Sequence, residues 1–211
     1  RAGLVGDDGA THHGAFDLSF LSFIPNLTLL APRDTTELRE MVHWAVGFDA
    51  GPCAVRYPRG ASDDRLPESR CPIDLGKAEV LRCPEAPDVC IVAIGSMVAP
   101  AYEAAQILAN RGIEAAVINA RFVRPLDVET ILEWVRKSRA LITVEENART
   151  GGFGETVREA MSRAGLLDRP HQVLALPDAF VEHGSQASLR AKCGLDATSI
   201  VEACQSAVHV H

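Results

Sequence analysis

The run Val89-Cys90-Ile91-Val92-Ala93-Ile94, closed by Gly95-Ser96, sets the architecture of this chain. An unbroken apolar run ended by a turn signal predicts a strand covered on both faces, as in a parallel sheet between helix layers. The residues that follow fit that reading. Val98, Ala101, Tyr102, Ala105 and Leu108 recur at helical spacing. Pro100 lies in the first turn, where a missing N–H is tolerated, and Gly112 supplies the stop. Ala115–Asn119 and Ala140–Val144 repeat the strand pattern, and between them Asp127 caps a helix with Val128, Ile131, Leu132 and Val135 on one side. Gly151–Gly154 opens a helix running to about Arg163. Val173–Leu176 is a last strand, and helical segments follow near 185–193 and 198–208. Strands alternating with helices predict a complete doubly wound α/β domain over residues 75–211.

Upstream, residues 16–60 read as helix, strand, helix, strand. Phe16, Phe20 and Phe23–Ile24 share one face of a short helix that Pro25 stops. Leu27-Thr28-Leu29-Leu30-Ala31 reads as a strand covered on both faces. Asp34 caps the next helix, with Glu37 in the capping-box position, and Leu38, Met41, Val42 and Ala45 form its stripe. Cys53–Tyr57 is the following strand, closed by Pro58-Arg59-Gly60. The pattern is again parallel α/β, and with Arg1 beginning directly in a loop its opening strands are expected to be missing. Residues 61–74, polar and broken by Pro67 and Pro72, read as a linker between a partial domain, 1–65, and the second domain.

The 211 residues are 47% hydrophobic and 23% charged, ordinary for a soluble globular protein. A net charge of −7 from dispersed acidic residues argues against nucleic acid or an anionic membrane as the main partner. No apolar run is long enough to cross a bilayer. The N-terminus lacks the pattern of a signal peptide, and a chain opening on Arg reads as a fragment. The six cysteines form no C-x-x-C pair, so they read as small hydrophobes in a reducing compartment.

The densest polar cluster is Asp7-Asp8-Gly9-Ala10-Thr11-His12-His13-Gly14, ending in Asp17. Carboxylates, a hydroxyl and imidazoles in one glycine-flanked loop suit acid–base chemistry, against the plainer reading of an exposed polar turn. Adjacent histidines point apart, so no metal site is expected. Arg59 follows a strand at its carboxyl end, where open α/β sheets bind ligands. Arg1 starts the polar loop, and two guanidinium forks on that edge would suit a phosphate dianion; singly, each Arg reads as a surface ion-pair partner. Gly151-Gly152-Phe153-Gly154 opens a helix and offers a phosphate seat, but without a dinucleotide or P-loop spacing it reads better as a tight turn. His183-Gly184 offers a cleft wall, and His209-Val210-His211 reads as a frayed end.

Several stretches together resemble the 1-deoxy-D-xylulose-5-phosphate synthase family, which are thiamine-diphosphate enzymes of the transketolase type. They are Arg1–Gly6; Asp8-Gly9-x-Thr11-His12-x-Gly14-Ala15-Phe16-Asp17-Leu18-Ser19; Arg56-Tyr57-Pro58-Arg59-Gly60; and Asn119-Ala120-Arg121-Phe122-Val123-x-Pro125-Leu126-Asp127. Thr143-Val144-Glu145-Glu146-Asn147, Leu176-Pro177-Asp178-x-Phe180 and Gly194-Leu195-Asp196 complete the set. The resemblance implies a pyrimidine-binding domain for residues 1–65 and a transketolase C-terminal domain for the remainder. That family condenses pyruvate with D-glyceraldehyde 3-phosphate, releasing CO2, at the first step of the non-mevalonate isoprenoid pathway; its product also feeds thiamine and pyridoxal phosphate synthesis. By matching position, Arg1 and Arg59 would grip the acceptor phosphate, Asp8 would hydrogen-bond the acceptor hydroxyl, and His12 would sit over the reacting thiazolium carbon. Thr11 and His13 are second-rank candidates. The resemblance also implies a homodimer in the bacterial cytoplasm or a plastid.

The family's Gly-Asp-Gly…Asn motif for diphosphate and Mg2+ is absent from this sequence, as are the glutamate that activates the aminopyrimidine and the aromatic that stacks on it. The thiamine diphosphate and Mg2+ sites are therefore expected outside this chain, on a missing N-terminal portion, and the chain alone is expected to be inactive. The rival readings are transketolase, the β-subunit of 2-oxo-acid dehydrogenase E1, and a non-catalytic dimerisation or regulatory domain. Transketolase has Pro where this chain has Gly14, and the E1 β-subunit lacks the Asp-Gly-x-Thr-His loop.

Overall fold

A computed structural model describes residues 1–61, 66–68 and 71–209. Val89–Ala93 is strand β4, the middle of a five-stranded sheet ordered β3-β5-β4-β7-β8. β5 (Ala115–Asn119), β7 (Ala140–Ala148) and β8 (His171–Leu176) run parallel along it, and β3 (Glu79–Arg82) is an antiparallel edge. The alternation of β4 explains why its whole run is apolar. Val89, Ile91 and Ala93 face α3 (Val98–Ala109) and α7 (Ala197–His209), whereas Cys90, Val92 and Ile94 face α4 (Val128–Lys137) and α5 (Phe153–Arg163). Side chains alternate across a strand, so helices on both faces leave no position for a polar residue. This is the expected doubly wound domain.

The first segment contributes α1 (Asp17–Leu21), β1 (Thr28–Leu30), α2 (Thr35–Val46) and β2 (Cys53–Val55). β1 and β2 pair in parallel, as the pattern requires. The third strand of their sheet is β6 (Phe122–Arg124), which comes from the second segment and pairs antiparallel with β1. Main-chain bonds therefore cross between the two segments, and Ala31 N–H donates to the Arg121 carbonyl at 2.9 Å. Predicted linker residues 62–65 and 69–70 lie outside the described residues, as do Val210 and His211. Of the linker's described residues most are exposed, but Ile73 is buried with Leu30, Met41 and Phe122.

Two local expectations change. Asp34 caps α2 by accepting the Glu37 N–H at 2.8 Å, but the Glu37 carboxylate accepts from Arg33 N–H rather than completing a box on Asp34. It is drawn inward instead, accepting from Arg121 Nε at 2.7 Å and Asn119 Nδ2 at 2.9 Å. The buried side of α2 is consequently Glu37 and Met41, and Val42 is exposed. The Phe16, Phe20, Phe23 and Ile24 stripe also points outward, because α1 turns Leu18, with partly buried Leu21, toward the core.

Candidate active site

The polar loop starts and ends on backbone pairing. Ala2 N–H donates to the Tyr57 carbonyl at 3.0 Å, which places Arg1 beside the end of β2. Gly3 and Gly14 then exchange N–H···O bonds of 3.0 and 2.8 Å, closing the loop between them. Gly14 is required twice over. A Cβ there would strike the Arg1 carbonyl oxygen, and a proline has no N–H to give Gly3.

Within this frame Arg1 and Arg59 meet. The Nη1 atoms of both donate to one oxygen, Oδ2 of Asp8, at 2.8 Å from Arg1 and 2.5 Å from Arg59. All three side chains are partly exposed, at 55%, 52% and 32%. The hydrogen bond from Arg59 holds the Asp8 carboxyl below the usual carboxylate range against the opposing effect of desolvation, with the charges of Arg59, Arg1 and His12 adding to the lowering. Both arginines line one cleft of about 450 Å3 with Asp17, Arg56 and Tyr57. Arg59 also borders a second cleft of about 400 Å3 with Ser96, Gln186, Arg190 and Asp196.

The two histidines differ. His12 is exposed and its Nδ1 lies 2.9 Å from Thr11 Oγ1; among the described residues nothing else hydrogen-bonds its ring. His13 is engaged at both nitrogens. Its Nδ1 accepts the Val5 N–H at 3.0 Å, so Nε2 carries the proton and donates to the Glu182 carbonyl at 3.2 Å. His13 thus staples the loop to the segment after β8. His183 lies alongside, with its Cβ at the open side of Gly9.

Residues that sequence reasoning passed over hold the loop from behind. Arg56 is buried and forks onto Asp17 with Nε and Nη2 at 2.9 and 3.0 Å. Its Nη2 also reaches the carbonyls of Gly14 (3.0 Å) and Glu146 (2.9 Å). Glu146 accepts from Arg190 Nε at 2.9 Å and Ser96 Oγ at 2.9 Å. Gln186, at the start of α6 (Gln186–Lys192), donates to the carbonyls of Leu4 (2.6 Å) and Arg59 (2.8 Å). A charged Arg inside the apolar Cys53–Tyr57 run was the available signal for Arg56.

The glycine-rich start of α5 is not an anion seat. Its Phe153 and Gly154 N–H groups donate to the Glu145 carboxylate, both at 2.8 Å. Among the described residues no three His, Cys, Asp or Glu side chains gather as a metal site. The described residues therefore offer no carboxylate or imidazole cluster that fits Mg2+. Among the described residues no helix is long and apolar enough to cross a membrane.

Comparison with known proteins accounts for this layout. Residues 1–63 match the transketolase pyrimidine-binding domain and residues 76–200 the transketolase C-terminal domain. The chain is 52% identical over 202 residues to 1-deoxy-D-xylulose-5-phosphate synthase of Thermomicrobium roseum, covering 95% of this chain and 32% of that protein. The corresponding enzyme of Desulforudis audaxviator is 48% identical over 207 residues, covering 98% of this chain and 32% of its own length. The chain thus spans about a third of the length of these relatives. A split-gene transketolase solved as an inactive β4 tetramer superposes with a TM-score of 0.81 at 32% identity, covering 94% of this chain and 62% of that one. With residues 76–200, more than half of the chain, matching the C-terminal domain and residues 1–63 matching the pyrimidine-binding domain, the chain belongs to the transketolase family.

Proposed function

We propose that this chain supplies the acceptor-binding side of a 1-deoxy-D-xylulose-5-phosphate synthase, a transferase condensing pyruvate with D-glyceraldehyde 3-phosphate with loss of CO2. The observation that carries the reading is the meeting of the Arg1 and Arg59 guanidinium groups on a single oxygen. Two such forks match a phosphate dianion in charge and in donor geometry. In this reading Asp8 hydrogen-bonds the acceptor hydroxyl. His12, with Nδ1 engaged by Thr11, moves a proton at the acceptor's carbonyl oxygen through Nε2. His13 and Thr11 position rather than react. Thiamine diphosphate supplies the carbanion chemistry when bound, and its diphosphate and Mg2+ belong on residues outside this chain.

The test is Arg59→Ala in the complete enzyme. A charge-assisted hydrogen bond contributes about 1.5–3 kcal/mol, so kcat/KM for D-glyceraldehyde 3-phosphate drops at least about tenfold. Unphosphorylated glyceraldehyde, which never uses the arginine, does not lose rate. Equal losses for both acceptors would sink the assignment.

The partner of this chain, in the same reading, is a second copy. Phe20 is 55%, Phe23 74% and Phe180 77% exposed, with Phe16 stacked edge-on to Phe180 at 6.2 Å. Exposed aromatic side chains of this kind suit a protein interface, and the split-gene transketolase is itself described as a β4 assembly.

A further inference from the structure

The oxygen on which Arg1 and Arg59 converge belongs to the protein itself. Asp8 Oδ2 stands 2.8 and 2.5 Å from the two Nη1 atoms, within hydrogen-bond reach of both, where a phosphate oxygen bridging the same pair would stand. The geometry points to Asp8 as an internal anion that occupies the clamp when it is empty and is displaced by the acceptor phosphate. This inference rests on the proposed phosphate-binding role of the two arginines.

Space and charge both favour displacement. A phosphate oxygen bridging the two Nη1 atoms along these same N–H directions takes the position that Oδ2 holds, so Asp8 competes with it directly. Two guanidinium groups balance a phosphate dianion, whereas a retained Asp8 adds an unpaired negative charge beside it. Release is within the means of the loop. Asp8 lies in a turn closed by the Gly9 N–H donating to the Gly6 carbonyl at 3.2 Å, and its side chain is partly exposed. A rotation about the side-chain bonds suffices and the turn stays intact. The consequence is selectivity: an acceptor without a phosphate has nothing to offer the arginines in return for Asp8. The same event delivers a free carboxylate next to the bound acceptor, where Asp8 hydrogen-bonds the hydroxyl.

The experiment is a titration of the protein with inorganic phosphate, followed by calorimetry and by the NMR signals of the His12 ring. Asp8→Asn keeps the shape and removes the competing charge, and Asp8→Ala removes the competitor entirely. Both are expected to bind phosphate more tightly than the parent, by about two- to thirtyfold, the range set by two exposed ion pairs. Arg59→Ala is expected to abolish binding in either background. If the Asp8 variants bind phosphate no better than the parent while Arg59→Ala still abolishes binding, displacement is wrong and the clamp stands. If phosphate binds no variant, or binds regardless of Arg59, the clamp and the displacement fall together.

Discussion

Replacing Glu145 with glutamine removes a fully buried carboxyl group on which helix α5 starts. Burial raises the pKa of Glu145 from 4.5 to about 7, the N–H groups of Gly154 and Phe153 and the charge of Arg56 pull it part of the way back, and Glu155 adds a small upward push. At 1.36 kcal/mol for each tenfold change in proton affinity, the displacement amounts to about 3 kcal/mol. Its sign follows from proton counting. Between pH 4.5 and about 7 the folded protein keeps a proton that the unfolded chain has lost. Unfolding therefore releases a proton, and stability falls as pH rises through that window. The contribution is complete below about pH 4.5 and gone above about pH 7. Glu145→Gln cannot titrate. Its amide can accept only one of the two N–H groups and turns a donor toward the other, an offset on the order of 1–3 kcal/mol that does not vary with pH. Urea denaturation at intervals between about pH 5 and 8 measures both proteins under identical titration of every other group. The difference between them should shrink by about 2–3 kcal/mol toward the alkaline end. Parallel curves across that range would refute the buried, proton-holding Glu145.

Arg121 donates to Glu37 at 2.7 Å and to the Pro72 and Cys71 carbonyls at 3.0 and 3.2 Å, wholly buried. Arg121→Met removes the cation facing the buried Glu37 carboxyl, leaving it the Arg33 N–H and Asn119, and should lower unfolding free energy by about 3–5 kcal/mol in urea; a loss under about 1 kcal/mol would contradict it. Calorimetry of this chain with thiamine diphosphate should show no Mg2+-dependent saturable micromolar binding, since no cluster of three metal-ligating side chains lies among its described residues; a saturable isotherm that needs Mg2+ would overturn that reading. Combined Phe20→Ser and Phe23→Ser should convert a self-associating protein to monomer in sedimentation, and a parent already monomeric would end the dimer proposal.

The parallel strands were readable because burial on both faces leaves an unbroken apolar run, and Val89–Ile94 shows one. The strands that escaped are those that sequence periodicity does not mark. β6 is three residues long and exists as a strand because β1 lies beside it, pairing Leu29 with Arg124. β3 is an edge strand with only Glu79 fully buried. At the site, the residue types were readable and their meeting was not. Asp8 and Arg59 are 51 residues apart, and nothing local specifies that contact. The motif residues Asn119 and Arg121 find their reason in Glu37, more than 80 positions earlier. A buried polar residue is legible from its neighbours only as an anomaly, since its partner is supplied by the fold.

That same logic explains why the acceptor loop is built across two segments rather than within one. Its exposed face carries Arg1, Asp8, Thr11 and His12, whose contacts are weak and open to ligand. Its inner side is fixed from far along the chain. Gln186 reaches Leu4 across 182 positions, His13 reaches Glu182 across 169, and Arg56 reaches Glu146 across 90. Gly3 completes the fit, because at φ +63° it lies against the Glu146 carboxylate with no room for a Cβ. Glu146 is itself held by Arg190 and Ser96, so the loop registers the position of α6 and of the turn after β4. A network of hydrogen bonds anchored on buried Arg56 and Glu146 resists small displacements, and hinging of one segment against the other would have to break several of its bonds together. The site therefore combines a rigid foundation contributed by both segments with a mobile carboxylate at its surface, and it is the foundation that keeps Arg1 and Arg59 close enough to share one anion.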